Sequence, residues 1–163
     1  MDWVLAILLF LHIGGSIIAF RPTYAFLILG PMAASEPAHR NFALRFQQRV
    51  ATTLVAPLAV LQGITGLLLV WRIGFELFQR GSWLIVSIVL YLIALALAFG
   101  IMLPGLRTLV PATAGPPPAP PAGSASAGPP PHIAATARRA RIAGMVNAAL
   151  IVIIVFLMVT KAF

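Results

Sequence analysis

Four apolar runs constrain this chain more than anything else in it: Trp3–Phe20, Val50–Trp71, Trp83–Leu103 and Ile142–Val159. At 1.5 Å per helical residue each reaches about 27 Å or more, close to the roughly 30 Å of hydrocarbon in a bilayer. Composition points the same way. Of the 163 residues 61% are hydrophobic and 9% charged, against roughly 25% charged in a soluble domain. A soluble chain built this way would expose apolar surface on every side, so lipid is the expected solvent. The predicted fold is all-α, a single integral membrane domain over 1–163 made of a four-helix transmembrane bundle without a sheet. Trp3, Trp71 and Trp83 fall at run ends, where an interfacial aromatic belt forms.

The first run has an apolar continuation, Tyr24–Leu29, before Gly30-Pro31. This predicts an extended helix reaching to about residue 29, kinked near Pro22 and stopped at Gly30-Pro31. It begins Met-Asp-Trp with no basic residue, and its apolar stretch exceeds a signal-peptide core, so it reads as a retained span. Ser35-Glu36-Pro37 predicts the next helix start, with Ser35 as N-cap and Pro37 in the first turn. The segment from Ala38 to Arg49 then reads as a basic helical extension of span two resting on headgroups.

The net charge of +8 comes from eleven basic and three acidic residues. The basic residues fall mainly between the runs, and no basic stripe is interleaved with aromatics, so nucleic acid is not an expected partner. Arg21, Arg40, Arg45, Arg49, Arg107, Arg138, Arg139 and Arg141 belong to one side. Arg72, Arg80 and Lys161 belong to the other. The positive-inside rule then places both long loops in the cytoplasm of a bacterial-type inner membrane, and both termini outside. Nine of the fourteen prolines fall in 110–131. That Pro/Ala-rich loop between helices three and four predicts a flexible tether, leaving span four free to pack in its own bundle or against another subunit.

The absence of cysteine excludes disulfides, thiolate metal sites and covalently attached haem. Asp2, Glu36 and Glu76 are the only acids, and all lie outside or at the edge of the runs. A carboxylate pair, a Ser-His-Asp triad and a carboxylate metal site are therefore not expected inside the bundle. What remains is polar residues in lipid. His12 lies near the middle of the first run, and an ionisable group there is costly enough to need a partner. His12, Gly15, Ser16 and Ala19 share one small face, and Ala56, Ala59, Gly63 and Gly66 form another, so the two backbones can approach closely. His12, Gln62 and Tyr91 fall at similar depth, with Asn147 nearer the cytoplasmic end of span four. An interhelical polar cluster of His12, Gln62, Tyr91 and Asn147 follows as the candidate site. Ser16 and Thr65 can bond their own helix carbonyls and need no partner.

Three roles compete for His12: interhelical packing by hydrogen bonds, axial ligation of haem b, or a proton or substrate contact in a small transporter-like protein. The haem role would need a second ligand, from a second chain, from His39 folding inward, or from Met102 or Met145. His39 and His132 both lie in loops.

The stretch Leu11-His12-Ile13-Gly14-Gly15-Ser16 to Phe20-Arg21-Pro22-Thr23-Tyr24-Ala25-Phe26, with Pro57-Leu58 and Gly63 to Leu69 in span two, resembles a family of bacterial predicted integral membrane proteins of unknown function. The resemblance covers the first two spans. It implies four spans with an early histidine. More distantly the histidine pattern is similar to copper-resistance membrane proteins of the D type and to the haem-binding membrane protoporphyrinogen oxidase. That kinship implies haem or copper at His12, and only His12 carries over. The expected role is a non-catalytic subunit or assembly partner of a larger membrane complex, whose partners are lipid and other membrane subunits or a second copy. The alternatives are a haem b redox protein and a small transporter.

Overall fold

A computed structural model describes residues 2–78, 81–115 and 129–161. Among these the chain is helical and contains no strand. Helix α1 spans Trp3–Ser35, α2 Arg40–Val50, α3 Ala56–Ile73, α4 Trp83–Leu97, α5 Leu103–Ala112 and α6 Pro131–Thr160. Short π-turns at Ala51–Val55 and Ala98–Met102 fuse α2 to α3 and α4 to α5. The result is four long rods: α1, α2–α3, α4–α5 and α6. All four are long and apolar enough to cross a membrane.

Asp2 starts α1 by accepting from the Val4 and Leu5 amides through Oδ1, at 3.2 and 3.3 Å, so it satisfies two of the four amides a helix start leaves unpaired. Its other oxygen pairs with Arg72 at the end of α3. Helix α1 runs 33 residues, about 50 Å, and passes through both Pro22 and Pro31. The expected stop at Gly30-Pro31 is therefore overturned. Proline costs a helix one N–H bond and some clash, yet α1 continues, its last turns packed on α2 where Ala33 and Ala43 are buried. Ser35 also differs from expectation. Its hydroxyl donates back to the Met32 carbonyl at 2.9 Å, closing α1 rather than capping the next helix. Pro37 does open the following turn, Pro37–His39, whose N-cap is Glu36. Helix α3 ends at Gly74, whose φ of 109° glycine adopts without the clash a Cβ would bring.

Each π-turn ends two residues before a proline, Pro57 or Pro104. In a regular helix a proline ring presses on the carbonyl four residues back and leaves it without an N–H. One wide turn ahead of the ring moves that carbonyl away, which accounts for the same device at the same offset in both rods.

The packing is a ring. Helix α1 lies mainly along α3, α4 and α5 lie along α6, α2 meets α5, and α6 closes back on α1. At the end where α3 stops and α4 begins, Val70, Trp83 and Leu84 form a buried cluster with Phe78, Ile88 and Met158 against it. At the opposite end the rods continue as α2, α5 and the first turns of α6. There Asn41 Nδ2 on α2 donates to the Val110 carbonyl at 2.8 Å and to Thr113 Oγ1 at 3.0 Å, tying α2 to the end of α5. Gly105 allows α5 to approach Ala140 on α6, where an added Cβ would lie 3.3 Å from the Ala140 Cβ. The tether predicted for 110–131 is shorter at both ends, since α5 continues to Ala112 and α6 begins at Pro131. Its centre, 116–128, lies outside the described residues.

Candidate functional site

The small face of α1 meets α3 through Gln62, Thr65 and Gly66, while Ala59 and Gly63 of the expected α3 face turn toward α4. His12 Nδ1 lies 3.0 Å from Thr65 Oγ1, and Nε2 lies 3.2 Å from Gln62 Nε2. The Thr65 hydroxyl lies 3.0 Å from the Leu61 carbonyl and 3.1 Å from that of Gln62. A hydroxyl has one proton, so when it donates to its own helix it accepts from His12. That fixes the imidazole as the Nδ1–H tautomer, and its Nε2 lone pair then accepts from the Gln62 amide. Both ring nitrogens are thereby held by α3. Glycine makes the approach possible. A Cβ on Gly66 would lie 3.2 Å from His12 Cε1, and one on Gly15 3.3 Å from Gln62 Oε1. Ala19, further along the α1 face, is completely buried.

Tyr91 approaches α3 from the other side. Its hydroxyl donates to the Ala59 carbonyl at 2.6 Å, and its ring edge lies over Gly63, where an added Cβ would be 2.7 Å from the hydroxyl oxygen. Thus Tyr91 and His12 share α3 as a common wall, and no hydrogen bond joins them among the described residues. Asn147 is separate again. It is buried on α6 with its Oδ1 unpartnered, and it borders a cavity of about 50 Å³ together with Thr23 of α1 and Gln47 of α2. The four residues named from sequence therefore divide into His12 with Gln62, Tyr91 on a backbone carbonyl, and Asn147 at its own cavity. Next to it, Tyr24 donates to the Ala148 carbonyl at 3.3 Å.

Thr65, expected to need no partner beyond its own helix, does bond His12; Gln62, Thr65 and Gly66 stand at i, i+3 and i+4 and so share a face. Ser16 donates to the Ile13 carbonyl at 2.7 Å and Thr65 to that of Leu61, the back-bonding expected of both. For Thr65 that leaves lone pairs free for His12. Sequence reasoning overlooked the N-cap role of Asp2, the Asn41 link and the pair Thr23 and Gln47.

Among the described residues no three His, Asp or Glu side chains gather. His39 pairs with Glu36 at 3.3 Å in the turn after α1, and His132 begins α6, exposed. Haem b does not fit His12 as it stands. Both nitrogens are taken by protein, and neither of the other histidines reaches its depth. Met102 points toward Gly144, its Cε 3.7 Å from where a Cβ would be, and Met145 is exposed.

The rods and their lipid-compatible surface define a four-span integral membrane protein. Residues 6–162 match the family described as predicted integral membrane protein (DUF2269). The chain belongs to that family. No curated protein and no solved structure shows significant similarity to it.

Proposed function

We propose that the protein is a non-catalytic subunit or assembly partner of a larger membrane complex, in a bacterial-type inner membrane, with both termini outside the cytoplasm. The observation that carries this reading is that both nitrogens of His12, an ionisable side chain deep in a span, are spent on holding α1 to α3. An imidazole so committed is packing, not a reactive group. Helix α1 adds support. Only 6% of its apolar window is buried within the chain, against 28% for the α2–α3 rod and for α6. One span is thus left nearly bare for lipid or another helix. Orientation rests on charge. Arg40, Arg45, Arg49, Arg107, Arg138, Arg139 and Arg141 belong to the end built from α2, α5 and the start of α6, while Arg72 and Lys161 belong to the other.

The test is purification from native membranes in mild detergent. Stoichiometric companion chains, or a stable homo-oligomer, are expected. A lone monomer at full yield would sink the subunit reading. Absorption spectra of the same preparation examine the haem alternative. A Soret band lost in His12→Ala would replace the packing role with a ligand role.

A further inference from the structure

The cavity beside Asn147 is built from features the subunit reading does not use. Both π-turns border it, one through Ala51 and Val55, the other through Ala98 and Met102. A wide turn breaks the ridge pattern by which helices interdigitate. Two wide turns on facing rods leave space where a regular bundle would close. Three polar side chains line that space. Asn147 is 91% buried, being 9% exposed, and its Oδ1 has no partner. Thr23 is 5% exposed, and neither its hydroxyl nor the half-buried Gln47 amide has a hydrogen-bond partner among the described residues. A buried carboxamide left unpaired at this depth costs free energy unless something else bonds it.

We propose that this cavity is a binding site for a small uncharged molecule that both donates and accepts hydrogen bonds, reached from the α2 end of the bundle past Gln47. Two carboxamides and a hydroxyl supply donors and acceptors together. No acidic or basic side chain lines the cavity, so a bare ion would meet only dipoles there and stay poorly compensated. The volume of about 50 Å³ admits more than one water, or one organic solute of the size of a simple amide. The site stands independently of the subunit reading.

The chain has no cysteine, so single cysteines report cleanly. In nanodiscs, Thr23→Cys and Asn147→Cys would be treated with methyl methanethiosulfonate. The reaction requires a thiolate, and hence a hydrated thiol. Ile151→Cys serves as the dry reference, since Ile151 is buried on the same helix and does not line the cavity. Labelling of both cavity positions at least about tenfold faster than the reference is expected. Slowing by acetamide would identify an amide-sized organic occupant, and an unchanged rate would identify water. Either outcome supports the site. Rates equal to that of Ile151→Cys overturn it. Thr23→Cys is nearly isosteric and keeps the test valid should Asn147→Cys fail to fold.

Discussion

Glycine and hydroxyl positions decide the contacts at the residue scale. Gly63 is the tightest, because any Cβ there collides with the Tyr91 hydroxyl and ring. Gly63→Ala should destabilise by about 1–3 kcal/mol, the usual cost of overpacking. Because the displaced Tyr91 also loses its bond to Ala59, Tyr91→Phe should cost less in the Gly63→Ala background than in the parent. Thermal unfolding of the four proteins measures this, and strict additivity would contradict it. At the other face, Thr65→Val keeps the shape and strands His12 Nδ1–H. A loss of about 1 kcal/mol is expected, and a His12–Thr65 double-mutant cycle should show coupling of about 0.6–1.7 kcal/mol, the range for bonds between membrane helices. The pairing of His12 with Gln62 was legible from depth and helical face. The Thr65 contact was not, because back-bonding accounts for the hydroxyl proton and draws attention away from the lone pairs that remain.

The π-turns govern the element scale. If each relieves a proline, the proline itself carries little residual strain. Pro57→Ala should then change stability by less than about 1 kcal/mol, whereas a proline forced into a regular helix costs about 3 kcal/mol. A gain near the larger figure in thermal unfolding would show that the wide turn has another cause. The apolar run Val50–Trp71 announced a helix and Pro57 announced a disturbance. The form of the disturbance could not be read, since a kink, a break and a π-turn all answer the same missing N–H. Helix α1 makes the same point in reverse. Gly30-Pro31 is a strong local stop, yet α1 runs past it to Ser35, its last turns packed on α2 where Ala33 and Ala43 are buried.

For the whole molecule, charge and lipid set the frame. A periplasm-dependent reporter fused after Phe163 should be active, and activity only in a cytoplasm-dependent version would reverse the assigned orientation. The Asp2–Arg72 pair lies at the end opposite the arginine-rich one and is partly exposed, with side chains 34% and 47% accessible. Asp2→Asn should therefore cost no more than about 1 kcal/mol in thermal unfolding and leave the orientation unchanged, because orientation follows the Lys and Arg count rather than single acids.

Hydropathy and residue type were enough to read an all-α chain with four membrane-compatible spans and a His12 in need of a partner; of the small face expected on α3, only Gly66 meets α1, while Ala59 and Gly63 turn to Tyr91. Hydropathy and residue size repeat along one dimension and survive any rearrangement in space. Which polar group faces which depends on packing in three dimensions. A single extra residue in a helical turn rotates everything beyond it by about 100°, and two rods of this bundle contain such a turn. That rotation lies outside any regular helical projection of the sequence. Asn147 is parted from His12 by depth instead: Thr23, which borders the same cavity, lies eleven residues beyond His12 on α1, about 16 Å along the helix.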